Sequence, residues 1–326
     1  MVSTYLANTN FFIPVQHLID QVEALMRSQS RGHHSELGAA LDHLLSSGGK
    51  RIRPALALLT GGMLGANTSR LIILAAAIEL LHTATLVHDD LIDGSLLRRG
   101  IPTLNAQWTP AATVLTGDFI FARAAKLAAD TRSVAAQRLF AETLSSIVNG
   151  EITQMFGSRG LANREDYYRR IRAKTASLFE LATGAAAMLS PDHKNAQVAV
   201  RRYGYEIGMA FQIVDDVLDF SGDQATVGKP LGSDLRQGLI TLPALYYIES
   251  HPDDTDMHEI LDGNRYNEER LNRVIAAIRA SSAIEQSMQE ARHFVERGLA
   301  ALSDQPLGVE HQALEDLANY IIQRKS

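Results

Sequence analysis

Helical periodicity runs through almost the whole of this 326-residue chain and leaves few folds open to it. Apolar side chains recur three and four positions apart, as in VQHLIDQVEALMR and ELGAALDHLL, and no segment shows convincing strand alternation. The chain is 46% hydrophobic but only 6% aromatic, so its core must be mainly aliphatic and alanine, which favours helices packed closely on helices. No composition shift or linker marks a boundary. We therefore predict one all-α domain over residues 1–326.

Glycine and proline breaks divide the periodic pattern into separate helices. The predicted helices cover residues 15–27, 36–45, 54–64, 69–93, 111–129, 133–156, 164–189, 194–220, 242–250, 256–262, 268–280, 282–301 and 308–323. Residues 222–238 form a long polar connection that contains glycine, which predicts a loop with a function.

The charge balance and the absence of cysteine exclude several function classes. A net charge of −6, from 31 basic and 37 acidic side chains, gives no general attraction to nucleic acid. With no cysteine there are no disulfides, thiolate metal sites or cysteine nucleophile. The first basic residue is Arg27, and the uncharged apolar run at 71–78 is too short to span a bilayer. We expect no signal peptide, no transmembrane segment and a cytoplasmic protein.

Two Asp-Asp-x-x-Asp clusters stand at the ends of strongly apolar helical segments. Asp89 and Asp93 are four residues apart, so they project from one helical face, and Asp215 and Asp219 repeat that arrangement. The middle residue of each cluster, Asp90 or Asp216, is turned about a quarter of the way round the axis. Six carboxylates concentrated at two points repel one another, and hard cations with oxygen ligands offset that cost. The clusters therefore predict Mg²⁺ and a phosphate-bearing substrate, whereas acidic caps at a helix C-terminus would be unfavourable.

Basic side chains at several points of the chain predict anion binding. GGKRIRP at 48–54 puts cations and permissive glycines at a helix start, although a basic surface turn would look the same. Arg98 and Arg99 follow the first cluster, and Lys174-Thr175 lies inside an apolar helix. Gln212 precedes Asp215 by about one turn, and Lys229 lies in the polar connection, from which it could close onto a phosphate.

The sequence resembles the trans-isoprenyl diphosphate synthases, or polyprenyl synthetases, across nearly its whole length. The matching segments are GGKRIRP, HDDLIDGSLLRRG, GEITQ, KTASLF, FQIVDDVLDF and GKPLGSDL, in the family's order and spacing. The resemblance extends to medium- and long-chain members such as octaprenyl diphosphate synthases. It implies a single-domain antiparallel helical bundle around a deep central cavity, usually a homodimer, that condenses isopentenyl diphosphate head-to-tail with an allylic prenyl diphosphate using Mg²⁺.

The resemblance also implies residue roles. Isopentenyl diphosphate would be held by Lys50, Arg53, His82 and Arg99. The allylic diphosphate would be surrounded by Arg98, Lys174, Thr175, Gln212 and Lys229, with Thr175 and Gln212 stabilising the allylic cation. Magnesium would be held mainly by Asp89, Asp93 and Asp215, with Asp90, Asp216 and Asp219 in direct or water-mediated support. Leu239 departs from the family, which often has a lysine at that position.

The residues just before the first aspartate motif bear on product length, and the motifs themselves bear on two alternative functions. Family members floor the product cavity with bulky side chains before the first aspartate motif. Here Ala84 and Thr85 are small, which favours a medium or long polyprenyl chain over a geranylgeranyl or farnesyl product. A class I terpene cyclase commonly replaces the second aspartate motif and does not need the Lys50/Arg53 site. A non-catalytic subunit of a heteromeric synthase would show decayed metal motifs, but both motifs are intact.

Overall fold

The computed structural model describes residues 10–46, 48–98, 100–156, 163–191, 193–221, 230–263 and 267–324, and in them the chain is almost entirely helical. The predicted all-α class is confirmed. The helices, numbered in chain order, are α1 (Gln16–Arg27), α2 (Ser35–Ser46), α3 (Ile52–Met63), α4 (Thr68–Ile92), α5 (Leu104–Gln107), α6 (Pro110–Asp130), α7 (Val134–Phe156), α8 (Arg164–Ile171), α9 (Ser177–Met188), α10 (His193–Ser221), α11 (Ser233–Gln237), α12 (Leu242–Ser250), α13 (Thr255–Leu261), α14 (Glu268–Ala280), α15 (Ala283–Leu302) and α16 (Val309–Gln323).

Several features of the described chain, α5 among them, differ from the sequence prediction. A two-residue antiparallel ladder joins β1 (Leu97–Arg98) to β2 (Ile101–Pro102), which is too short to show any alternation. The helix predicted over 164–189 is two α-helices joined by a π-helical turn, Arg172–Ala176. Of the connection 222–238, residues 222–229 lie outside the described residues, and α11 occupies part of the remainder.

The chain divides into two compact units. Unit 1 comprises Met1–Ser145, Leu178–Gly204 and Ala301–Leu317, and unit 2 comprises Ser146–Ser177, Tyr205–Ala300 and Ala318–Ser326. The proposal of a single domain over 1–326 stays a prediction.

Helix α4 is the central core helix of unit 1. Asn67 caps its first turn by accepting a hydrogen bond from the Arg70 amide, as N-cap asparagines do. Its residues from Leu74 to Leu81 are all buried, Glu79 among them. The helix has the length and hydropathy of a membrane span, but 67% of its most apolar window is buried inside the protein. It delivers the first aspartate cluster to its C-terminal end.

Close approach of α10 to α9 defines another part of unit 1. A Cβ built on Gly204 would lie 2.7 Å from the carbonyl oxygen of Phe179 and 2.4 Å from Thr183 Oγ1. Only glycine fits there, so the contact is backbone against backbone. This packing fixes the first half of α10, whose later turns belong to unit 2 and carry the second cluster.

Candidate functional site

In unit 1 the three aspartates of the first cluster have different surroundings. Asp89 is half-buried in the last turn of α4, and Asp93 is exposed at its C-cap. The Asp93 amide donates to the Asp89 carbonyl at 2.8 Å, so helical geometry continues to Asp93 and both outer side chains share one face. Asp90 is buried, and its carboxylate accepts Arg98 Nη2 on Oδ1 at 2.8 Å and Nε on both oxygens at 3.0 Å.

Arg98 reaches Asp90 because a short hairpin folds back beside α4. Thr103 Oγ1 donates to the Ser95 carbonyl at 2.7 Å, and the ring of His43 contacts the Pro102 carbonyl at 2.7 Å through Nε2. These contacts fasten the end of the β1–β2 hairpin at which Leu97 pairs with Pro102. Arg99 lies outside the described residues.

The predicted anion-binding segment precedes α3 in unit 1. Lys50 lies in the loop and Arg53 in the first turn, both half-buried, with the Arg53 guanidinium 5.2 Å from the centre of the Phe179 ring. Arg51 between them adopts the left-handed conformation at φ +48°, which is costly for a non-glycine residue. The loop is therefore held in a strained form that needs an anchor.

Arg51 provides that anchor through two carboxylates and a carbonyl. Its guanidinium contacts Glu23 at 2.7 Å, Glu79 at 3.1 Å and the Leu45 carbonyl at 3.1 Å. Burial lowers the pKa of Arg51, but the charges of Glu79 and Glu23 outweigh it, so the net pKa is raised. Arg51 is thus a structural cation, distinct from the predicted substrate contacts Lys50 and Arg53.

The residues linked to product length lie on α4, also in unit 1. Ala84 is buried and Thr85 is half-buried. The Thr85 hydroxyl donates to the carbonyl of His82 at 2.7 Å, which ties it to its own helix. His82 is half-buried two turns before Asp89, on nearly the same face.

In unit 2, Lys174 and Thr175 lie in the π-helical turn between α8 and α9. Lys174 Nζ is 2.8 Å from Glu151 Oε1 of α7. Single π-turns are uncommon and occur often at functional sites. A Cβ built on Gly150 would lie 2.7 Å from Ala173 Cβ, so glycine lets α7 approach the turn directly beside the Lys174–Glu151 pair.

Gly150→Ala is expected to lower turnover by on the order of 10-fold, because the added methyl pushes α7 away from the turn that carries Lys174. Steady-state rates at saturating substrate measure this. The matched control is Gly38→Ala on α2, where the new methyl would meet only Ser30 Oγ at 3.6 Å. Unchanged turnover in Gly150→Ala would mean that the close approach does not position Lys174.

A buried hydrogen-bond network surrounds the second cluster. Gln212 Nε2 donates to Asp216 Oδ1 and Tyr167 Oη donates to Asp216 Oδ2, both at 2.7 Å. Thr175 Oγ1 donates to Gln212 Oε1 at 2.6 Å. Burial and the nearby charge of Asp234 raise the pKa of Asp216 to about 8, against the lowering effect of its two donors. Burial and the Asp216 charge raise the pKa of Tyr167 well above its usual value, so its hydroxyl stays protonated and donates.

Asp215 contacts a cation that sequence reasoning did not identify. Arg324, just after α16, places Nη1 2.6 Å from Asp215 Oδ1, while Nη2 donates to the Phe211 carbonyl at 2.6 Å. The guanidinium also lies 4.0 Å from the centre of the Phe211 ring. The Arg324 side chain is 2% exposed and that of Asp215 is 42% exposed. Arg324 therefore fixes one oxygen of Asp215 and leaves the carboxylate accessible.

Arg324→Met is expected to destabilise the protein by about 1–3 kcal/mol, because the carbonyl of the half-buried Phe211 and the Asp215 carboxylate lose their donor. Thermal unfolding measures this. The matched control is Arg27→Met, which breaks an exposed pair with Asp42 at 2.7 Å and should change stability by about 0.5 kcal/mol or less. Equal effects in the two variants would contradict a supporting role for Arg324.

Asp219 caps the start of α11. Its Oδ1 accepts from Ser233 Oγ at 2.6 Å and from the Ser233 amide at 3.1 Å, and its Oδ2 accepts from the Asp234 amide at 3.2 Å. Its role as a magnesium ligand stays a prediction. Leu239 follows α11, and its amide donates to the Asp234 carbonyl at 2.8 Å. Lys229 lies outside the described residues.

Each unit thus gathers its own share of the predicted site. In unit 1 the structure joins Arg98 to Asp90, and in unit 2 it joins Thr175 and Gln212 to Asp216. Within the described ranges, no group of three His, Cys, Asp or Glu side chains forms a ready metal cluster. Mg²⁺ typically takes one or two carboxylates and completes its shell with water and phosphate oxygens, which suits the Asp89/Asp93 pair and the accessible Asp215.

Three supporting residues were not predicted: Glu151, Tyr167 and Arg324. Glu151 belongs to the matched segment GEITQ, so its signal was present but unread. Tyr167 precedes Lys174 by two turns, and no local pattern distinguishes it from a core tyrosine. Arg324 has no signal in the sequence, because its partner is 109 positions earlier in the chain.

Comparison with known proteins gives consistent matches. The family model described as Polyprenyl synthetase matches residues 34–278. Component 2 of heptaprenyl diphosphate synthase from Bacillus subtilis (strain 168) is 34% identical over 308 residues, 94% of this chain and 88% of that protein. Octaprenyl diphosphate synthase from Escherichia coli (strain K12) is 35% identical over 284 residues, 86% of this chain and 88% of that protein.

Solved structures agree with these matches. A polyprenyl synthase from Caulobacter crescentus CB15, complexed with calcium and isoprenyl diphosphate, superposes with a TM-score of 0.92 at 34% identity, covering 97% of this chain and 98% of that one. Heptaprenyl diphosphate synthase from Staphylococcus aureus gives a TM-score of 0.91 at 33% identity, covering 96% and 99%.

Proposed function

Because the chain belongs to the polyprenyl synthetase family and is a trans-polyprenyl diphosphate synthase of medium or long chain, we propose that its condensation depends on Mg²⁺ held mainly by Asp89, Asp93 and Asp215. The predicted family, the all-α isoprenoid synthase fold and the prenyltransferase activity are confirmed. The family implies isopentenyl diphosphate and an allylic prenyl diphosphate as substrates. The individual roles of the site residues are proposals.

The observation that carries the proposal lies in unit 1. One unit holds both the cation-bearing start of α3, with Lys50 and Arg53, and the acidic end of α4, with Asp89 and Asp93. The first arrangement suits a diphosphate, since helix N-termini and guanidinium groups favour phosphate oxygens. The second suits a hard cation. A condensation needs both a bound diphosphate acceptor and a metal-assisted leaving group.

The residues divide the chemistry between them. Bound Mg²⁺ would act as a Lewis acid that neutralises charge on the leaving diphosphate. Lys50, Arg53, His82 and Arg99 would hold and orient isopentenyl diphosphate through its phosphate oxygens, and Arg98, Lys174 and Lys229 would bind the allylic diphosphate. Thr175 and Gln212 would direct their oxygen dipoles at the allylic cation, and apolar side chains around that cation would keep water away from it.

The experiment combines purified protein, isopentenyl diphosphate and allylic diphosphates of graded length, with product mass as the readout. Elongation in Mg²⁺, its loss with a chelator and its recovery on adding Mg²⁺ are expected. A cyclic hydrocarbon product would point instead to a class I terpene cyclase, and no turnover under any condition to a non-catalytic subunit. Retained turnover in excess chelator would contradict the metal dependence.

We further propose a homodimer and a cytoplasmic location. Two adjacent apolar side chains on α6, Val114 at 40% and Leu115 at 67% exposure, support an oligomer, because apolar side chains exposed next to each other can be buried against a second subunit. Light scattering gives the mass in solution.

Since the Bacillus subtilis relative is named as component 2 of a synthase, the activity of this chain alone has to be tested on the protein sample used for light scattering. Fractionation of the source cells tests the location.

A further inference from the structure

The buried network of unit 2 has a defined direction. The Asp216 carboxylate accepts two hydrogen bonds of 2.7 Å, one on each oxygen, from Gln212 Nε2 and from Tyr167 Oη. Because its Nε2 points to Asp216, the Gln212 amide must turn its carbonyl the other way, where it accepts Thr175 Oγ1 at 2.6 Å. The single hydroxyl proton of Thr175 is donated to the Gln212 carbonyl. The Thr175 oxygen therefore has only lone pairs left with which to face a ligand.

Three separate elements contribute side chains to this network, so a shift of any one of them would break hydrogen bonds to the others. Tyr167 comes from α8, Thr175 from the π-helical turn, and Gln212 and Asp216 from successive turns of α10. Tyr167 is 1% exposed, Asp216 is 2% exposed and Thr175 is 6% exposed. A buried polar chain of this kind fixes one arrangement, because any other would leave a polar group unsatisfied.

The first cluster, in unit 1, also has a buried middle aspartate held by hydrogen-bond donors. Asp90, the middle residue, is buried and accepts Arg98 through Nε and Nη2. In both clusters the outer first aspartate is partly exposed, whereas the middle one is buried against donors of its own unit.

We propose that Asp216 and Tyr167 are positioning residues that fix the Gln212 amide, and through it the Thr175 hydroxyl, with oxygen lone pairs presented to the allylic cation. This assignment deepens the proposed function and rests on it. Asp216 then acts through Gln212 instead of binding Mg²⁺, and Tyr167 holds the second oxygen of Asp216 so that the carboxyl cannot rotate. The middle and outer positions of the second cluster thus have different tasks.

Tyr167→Phe removes only the hydroxyl that holds Asp216. We expect kcat to fall by about 10-fold, with the KM of both diphosphates and the Mg²⁺ half-saturation unchanged within about 2-fold. In a Gln212→Leu background the same substitution should lower kcat by less than about 2-fold, because the group through which it acts is gone. The matched control is Tyr203→Phe in unit 1, where another buried hydroxyl donates to the Leu314 carbonyl at 2.6 Å. That variant should keep the wild-type kcat.

Asp216→Asn tests the assignment without relying on Tyr167. An asparagine can accept from Gln212 through its carbonyl and donate to the Tyr167 hydroxyl oxygen, so the arrangement survives. Calorimetric titration with Mg²⁺ and a diphosphate analogue should give an affinity within about 2-fold of wild type for Asp216→Asn, and at least about 10-fold weaker for Asp215→Asn.

The outcomes separate this proposal from the proposed function. Weakened Mg²⁺ binding in Asp216→Asn, an additive effect of Tyr167→Phe in the Gln212→Leu background, or unchanged kcat in Tyr167→Phe would each overturn it. An inactive wild type would instead contradict the proposed function, whereas the calorimetric comparison would still report on Asp216.

Discussion

Asp89→Asn is expected to lower turnover by on the order of 100-fold or more, because the substitution removes a charged oxygen ligand while keeping the side-chain shape. The fold should be unaffected, since Asp89 is half-buried in the last turn of α4, where a negative charge opposes the helix dipole. Rates measured over a Mg²⁺ titration test the first expectation, and thermal unfolding tests the second.

The matched control for Asp89→Asn is Asp130→Asn. Asp130 also stands at the end of a helix, α6, where it contacts Lys126 at 2.7 Å on the protein surface. That variant should keep wild-type turnover. If Asp89→Asn also kept it at every Mg²⁺ concentration, the metal assignment of the first cluster would be wrong.

Gly204→Ala is expected to destabilise the protein by about 3 kcal/mol, which is near the upper end for overpacking. The added methyl would meet the Phe179 carbonyl oxygen at 2.7 Å, and a backbone group cannot rotate away as a side chain can. Helix α10 would have to move off α9. Urea unfolding followed by far-ultraviolet circular dichroism measures the loss.

Gly38→Ala is the control for Gly204→Ala, because it changes the same atoms in a helix with room for them. It should stabilise the protein by about 0.5–1 kcal/mol, as expected when alanine replaces an unstrained helical glycine. Similar stability of the two variants would show that α9 and α10 are not held at the distance that the structure gives.

The helices were predictable because each follows from a local pattern. The predicted ranges 15–27, 69–93 and 268–280 agree with α1, α4 and α14 to within one residue at each end. Apolar periodicity and short-range capping determine such boundaries, and both can be recognised in the amino-acid sequence. The β1–β2 hairpin and α5 were missed, since elements of two to four residues carry too little pattern.

The site was predictable in its residue types but not in their surroundings. The spacing of Asp89 and Asp93 is a property of one helix, so the sequence contains it. The sequence does not contain the difference between the middle and first aspartates of each cluster. That difference depends on Arg98 and Tyr167, which reach a buried carboxylate from other elements. The same holds for Arg324 at Asp215. Contacts between distant parts of a chain arise from packing, which no local pattern encodes.

The π-helical turn at Arg172–Ala176 has a consequence for how this protein can be engineered. It holds more residues per turn than the α-helices on either side, and it displays Lys174 and Thr175. Deleting one residue there would let α8 and α9 merge into a regular helix with a more regular backbone. A library selected only for heat resistance is expected to be enriched in such deletions, and because they displace Lys174 and Thr175 we expect these variants to elongate prenyl chains more slowly.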